Sequence, residues 1–174
     1  RLPGYLDRRA VDALFALASL EFEAALSLSP PPPAAVGAAR ERLTEWLERY
    51  PQDPRAGQAH WMLGSLAWVE QAFREAAQEF GRVLERLHQG EAPEPGLLTL
   101  ARSAALLGAE ALYRQGLKDG GHALLPQAQA LFLEARDLNL GTWRAPWALA
   151  RMGDCARSLG KAAEAKTLYE QARW

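Results

Sequence analysis

The sequence predicts an all-α chain built as an array of antiparallel helical hairpins, about eight helices in four pairs. Three observations carry this. Apolar residues recur every three to four positions in eight blocks, the spacing of a helix face. β-branched residues are scarce, and no segment alternates cleanly at period two. Finally, Leu63-Gly64, Ala67, Ala76, Phe80 and Val83 recur as Met152-Gly153, Ala156, Ala165, Tyr169 and Ala172, each displaced by 89 positions. Small residues at fixed points let two helices touch, and a large ring at another point fills the next gap.

The first helix is expected over about Asp7 to Ser27, with Leu14, Leu17, Ala18, Glu21 and Ala25 on one face. Pro30 to Pro33 end it, because proline donates no amide and blocks the preceding turn. The second covers about Ala34 to Arg49 and stops at Tyr50-Pro51-Gln52-Asp53-Pro54. The third, about Arg55 to Val69, carries Trp61, Leu63, Gly64 and Trp68; the fourth follows at about Phe73 to His88 and breaks at Gly90 through Gly96. The fifth spans about Leu97 to Gln115, closed by Gly116 with Gly120-Gly121. The sixth, about Ala123 to Asp137, starts near Pro126, which a first helical turn tolerates. The seventh is about Trp143 to Leu159, with Gly160 as its C-terminal stop, and the eighth about Ala162 to Arg173.

Paired, these give one domain over 1–174 with hairpins at about 7–50, 54–89, 96–138 and 143–173. The tight positions Ala18, Gly64, Gly108 and Gly153 lie 46, 44 and 45 residues apart. In the second helices Ala39, Ala76, Ala128 and Ala165 match, each followed four residues on by Leu43, Phe80, Phe132 and Tyr169. The even hairpins have a short link and the odd ones a longer link, so the spacing suggests duplication of a two-hairpin unit.

Composition bounds the function. Half of the 174 residues are apolar and a quarter charged, normal for a globular chain. A net charge of −1 gives no electrostatic reason to expect nucleic acid or an anionic membrane as partner. No apolar run approaches the roughly 18 residues that span a bilayer, so direct membrane insertion is not expected. One cysteine, Cys155, rules out an internal disulfide. The absence of isoleucine and the excess of arginine over Lys118, Lys161 and Lys166 read as GC-rich bacterial coding. Because the chain opens at Arg1, it is expected to be a fragment of a longer or processed protein.

Chemistry-bearing motifs are absent. His60, His88 and His122 have no cysteine or second histidine within four residues, so no metal-ligand spacing exists. Cys155 reads as a buried structural thiol with no histidine near in sequence to activate it. Glu41, Glu45 and Glu48 with Arg42 and Arg49 read as a solvated face with helix-spaced ion pairs. Gly120-Gly121 lacks the downstream Gly-Lys-Ser/Thr of a phosphate loop, and the proline run reads as a stiff link. No cofactor and no metal are implied, and no enzyme is expected.

The residues resemble the tetratricopeptide repeat, whose pattern has Leu-Gly at positions seven and eight, small residues at eleven and twenty, an aromatic at twenty-four and a small residue at twenty-seven. Leu63-Gly64, Ala67, Ala76, Phe80 and Val83 fit, Met152-Gly153 to Ala172 fit better, and Leu107-Gly108, Ala111, Ala128, Phe132 and Ala135 fit with a longer link. The first hairpin departs, with Glu21 and Trp46 in place of small residues, and reads as a divergent cap. Tyr50-Pro51-Gln52-Asp53-Pro54 looks like a turn of bacterial cell-envelope members, the Tol-Pal coordinator and the outer-membrane assembly lipoprotein among them. On that ground the periplasm is favoured slightly over the cytoplasm.

The resemblance implies a right-handed superhelical solenoid whose first helices line a concave groove that binds proteins. Carried onto this chain, the groove positions include Phe15 and Phe22, then Trp61, Ser65 and Trp68, then Arg102, Leu112 and Tyr113, and finally Trp147, Asp154 and Arg157. A ring-lined wall suits a peptide or partner helix. Each of Phe15, Trp61 and Trp68 also suits the core between hairpins. The carboxylate clamp of some members is excluded, since the one asparagine, Asn139, lies between hairpins. The expectation is a non-catalytic adaptor or scaffold. A second reading makes the chain a regulatory or oligomerisation appendage of a larger protein, packing on its own missing domain or forming homodimers.

Overall fold

The computed structural model describes residues 3–89, 96–120 and 122–173. They form eight α-helices and one short 3-10 turn, and among the described residues there is no strand. The helices are α1 (Pro3–Leu26), α2 (Pro33–Arg49), α3 (Ala56–Val69), α4 (Phe73–Gln89), α5 (Leu97–Lys118), α6 (Leu125–Leu138), α7 (Arg144–Ser158) and α8 (Ala162–Gln171). His122–Leu124 forms the 3-10 turn that leads into α6.

The expected boundaries hold within a few residues, and the differences have causes. Pro33 is the first residue of α2 rather than part of the break, because its fixed φ suits a first turn. α5 runs past Gly116 to Lys118. Gly116 is a packing position, since a Cβ there would stand 3.2 Å from Leu125. The stop is Gly120, at φ +61. The expected break at 90–96 lies outside the described residues except for Gly96, as does Gly121.

Each helix packs on the next in chain order, with short links turning the chain back on itself. Contacts also run along two rows. In the row of first helices, Phe22 of α1 meets Trp61 of α3, α3 packs on α5, and Glu110 of α5 bonds Arg151 of α7. In the row of second helices, Arg40 of α2 pairs with Glu75 of α4, His88 of α4 with Glu134 of α6, and Gln129 of α6 bonds Glu164 of α8.

The small positions serve close approach. Ala39, Ala76 and Ala128 have no exposed surface and Ala165 almost none. A Cβ at Gly64 would stand 2.8 Å from the ring of Phe80, and one at Gly153 2.6 Å from that of Tyr169. Gly108 differs. Its near neighbours are Leu131 and Phe80, while Phe132 turns its ring toward Trp147 at 5.9 Å. In the first hairpin Trp46 fills the space a small residue would leave, fully buried and 4.8 Å from the ring of Phe15. Its indole nitrogen donates to the Val11 carbonyl at 3.4 Å.

The backbone repeats at the same interval as the sequence. The α3–α4 turn places Gln71 at φ +58, and the α7–α8 turn places Gly160, 89 residues on, at φ +76. Both turns close with the same bond, Ala72 N to the Ala67 carbonyl and Lys161 N to the Ala156 carbonyl, each 2.9 Å. Arg40–Glu75 and Gln129–Glu164 are related by the same displacement.

The apolar core falls into two clusters that meet at α3. One joins α1, α2 and the α3 residues up to Leu66; the other begins at Ala67 and runs through α4, α5, α6 and α7. Trp61 packs against both. The α2–α3 packing is the sparsest between consecutive helices. Its link is pinned by Arg86 of α4, which donates to the Pro51 carbonyl at 3.2 Å and the Asp53 carbonyl at 3.1 Å.

Candidate functional site

Three first helices, α3, α5 and α7, bring one cleft together. It encloses ≈ 350 Å³ and is lined by Trp68, Ser103, Leu106, Leu107, Glu110, Arg114, Trp143, Arg144 and Trp147. Leu106 and Leu107 supply an apolar floor, because α5 turns an almost wholly buried face toward its neighbours. Trp143 and Trp147 stand one helical turn apart at the start of α7, 64% and 37% exposed. Trp147 packs one side on Phe132, and the rest of its ring together with that of Trp143 is left in water, the exposed apolar feature of this cleft.

A polar network stiffens the wall. Glu110 is buried, and its carboxylate accepts from Arg114 Nε at 3.0 Å and Arg151 Nε at 2.8 Å. Arg151 also donates to Asp154 at 2.8 Å, and Asp154 accepts from the Tyr169 hydroxyl at 2.8 Å and from Arg157 at 3.3 Å. Burial opposes the charge on Arg151, but its bonds to Glu110 and Asp154 outweigh that and raise its pKa. Burial and the bond to Asp154 likewise push the Tyr169 hydroxyl up.

The guanidiniums lie on rings. Arg114 sits 4.9 Å from the Trp68 ring, Arg151 4.4 Å from Tyr113 and 5.8 Å from Trp147, and Arg144 5.7 Å from Trp143. Such stacking holds both partners in place at little entropic cost.

Of the residues expected to face a groove, Trp68 and Trp147 line this cleft, while Tyr113, Asp154 and Arg157 belong to the network behind it. Others lie elsewhere. Phe15 and Phe22 are buried against Trp46 and Trp61, and Tyr113 is buried under Arg151, so none of the three offers an open ring. This corrects the expectation that they present open surface: Trp46 and Arg55 cover Phe15, Trp61 covers Phe22, and the Arg151 guanidinium covers Tyr113. Trp61 bridges the two apolar clusters, and its buried indole nitrogen has no hydrogen-bond partner.

Ser65 bonds back to the Trp61 carbonyl within α3 at 2.9 Å. Leu112 is half-buried against the larger apolar cluster. Arg102 donates to the Leu138 carbonyl at 2.8 Å and caps α6, with the buried Asn139 amide returning a bond to the Arg102 carbonyl at 3.3 Å.

Sequence reasoning passed over Glu110, Arg114, Arg144, Arg151 and Trp143. One signal was present: Glu110 and Arg114 are i,i+4 on an otherwise apolar helix, the spacing of an ion pair. The link from Glu110 to Arg151, 41 residues on, has no local signature.

Cys155 is fully buried, and burial pushes its thiol up to about 12. His60 bonds Glu79 at 2.8 Å and His88 pairs with Glu134 at 3.1 Å. Among the described residues, no group of three or more His, Cys, Asp or Glu could hold a metal ion, and no helix is long and apolar enough to cross a membrane.

No protein-family model matches this chain. No curated protein matches it.

Proposed function

We propose that the chain is a non-catalytic protein-interaction module, an adaptor or scaffold that holds a peptide or partner helix in the cleft between α3, α5 and α7. In this reading the four hairpins are tetratricopeptide-like, stacked as a right-handed superhelix with the first helices on the concave side. The observation that carries it is the pair of exposed tryptophans, Trp143 and Trp147, facing Trp68 over a leucine floor. Burying a large apolar side chain contributes about 1.5–3 kcal/mol, so a few such contacts give useful affinity. The two rows of helix contacts and the displacement of 89 shared by sequence and backbone support the stacked arrangement.

The test is the double variant Trp143→Ala with Trp147→Ala. It is preferable to Trp61→Ala with Trp68→Ala, since Trp61 ties the two apolar clusters and its loss would disturb the fold. Crosslinking capture from a bacterial extract should lose its partner with the double variant while circular dichroism stays unchanged. Undiminished capture by the folded variant would remove the cleft from consideration.

A second reading has its own support. Leu17 and Leu20 stand exposed one turn apart on α1, with exposed Leu28 beyond the helix. That surface suits an appendage packed on another domain or on a second copy. Light scattering of the isolated chain separates the two: a dimer that Leu20→Glu dissociates favours the second.

A further inference from the structure

We propose that the cleft selects an acidic segment, a peptide in which a carboxylate stands between two apolar side chains. This rests on the docking reading above and adds the chemistry of the partner. Two clefts adjoin along α5. The first is the one described; the second, ≈ 580 Å³, is lined by Trp68, Val69, Gln71, Phe73, Arg114 and Leu117. Trp68 and Arg114 line both and form their shared wall. Each space takes an apolar side chain, against Leu106, Leu107 and Trp147 on one side and Val69 and Leu117 on the other. The Arg114 guanidinium stands between them, half-exposed. Two seats joined through a charged saddle fit a stretch of polypeptide better than a compact small molecule.

The charge of the site points to an anion. The two clefts are lined by the guanidiniums of Arg114 and Arg144 against the carboxylate of Glu110, and the network behind them adds Arg151 and Arg157 against Asp154. The lining carries one excess positive charge and the network behind it another, on a chain whose net charge is −1. Both carboxylates are already engaged, Glu110 by Arg114 and Arg151, Asp154 by Arg151, Arg157 and the Tyr169 hydroxyl. Arg144, at the mouth, has a ring beneath it and no carboxylate partner among the described residues.

The same arrangement turns away cations. Tryptophan-lined clefts otherwise attract ammonium groups to their ring faces. Here Trp68, Trp143 and Trp147 each already carry a guanidinium, so a basic segment would meet like charge where it would need the ring.

The experiment is selection of phage-displayed random peptides on the whole chain, followed by fluorescence anisotropy with the selected peptides. Each is made in its Asp/Glu form and in the matching Asn/Gln form. The expected pool has Asp or Glu flanked by Leu, Phe or Trp. The amide form should bind about tenfold more weakly, and Arg144→Gln or Arg114→Gln should narrow that difference. Affinity for the acidic form should fall as salt rises. Peptides that require Trp143 and Trp147 yet bind equally in acid and amide forms would overturn the charge selection and leave the docking face standing. A pool rich in Lys or Arg that requires the same tryptophans would overturn it too. If no selected peptide depends on Trp143 and Trp147, the docking reading fails and this inference with it.

Discussion

The ring of Phe80 occupies the space that Gly64 leaves by having no side chain, so that a single added carbon would stand 2.8 Å away. That contact joins α3 to α4, and its counterpart joins Gly153 of α7 to Tyr169 of α8 at 2.6 Å. Real Cβ atoms do not approach rings so closely; either helix would have to shift. Gly64→Ala and Gly153→Ala should each destabilise the fold by about 1–3 kcal/mol through overpacking. Gly37→Ala and Gly81→Ala, also within helices but with nothing near, should instead stabilise by about 0.5–1 kcal/mol. Urea midpoints of the four variants check both signs, and a common sign for all four would refute the packing role.

Gln71 and Gly160 hold the same left-handed turn position, but only one of them is glycine. An L-residue with a side chain pays about 1–2 kcal/mol there, and glycine gives back part of that through its extra freedom when unfolded. Gln71→Gly should therefore raise stability by about 0.5–1 kcal/mol, and Gly160→Ala should lower it by about 1 kcal/mol. Thermal melts of the two variants read this directly.

Cys155 should be inert in the folded chain. With its thiol pushed up to about 12 by burial, almost no thiolate exists at neutral or mildly alkaline pH, and reagent has no path to it. A thiol-reactive dye at pH 8 should label the protein only after denaturant is added. Rapid labelling without denaturant would show that α7 opens locally.

Asp53 ties pH to stability. Its side-chain bond to Arg55, at 2.8 Å, holds the carboxyl below its ordinary range despite an opposing contribution from burial. A carboxyl whose pKa is lower folded than unfolded contributes stability that is complete above the unfolded value and is lost as pH falls through the folded one. Asp53→Asn should thus cost stability at neutral pH, and its deficit should shrink below about pH 4. Denaturation of both chains across that range measures the difference.

The fold was legible because its rules are periodic. Ala39, Ala76 and Ala128 could be aligned by counting, and they are buried to the same degree because the same close approach recurs. The site was less legible. Trp68 and Trp147 fall at repeat positions that count forward from a helix start, so a fixed register reaches them. Glu110 and Arg151 meet from different helices at a place no single register samples, and a buried carboxylate on an apolar face reads locally as an error. Trp143 precedes α7 altogether and belongs to no repeat position. The rings that a register did select, Phe15, Phe22 and Tyr113, are covered by neighbouring side chains, which spacing along one helix does not register.

Because the apolar interior is parted at α3, warming should not dissolve the molecule in a single event. The N-terminal pair α1–α2 draws on the smaller reservoir of contacts and is fastened to the rest through few side chains, Phe22 and Arg40 among them. Calorimetry should then record an early shoulder that Trp46→Ala enlarges, ahead of a main peak from α3 through α8. A partner seated between α3, α5 and α7 would steady the later portion and leave the first untouched, giving the protein one end that grips and another that is free to loosen.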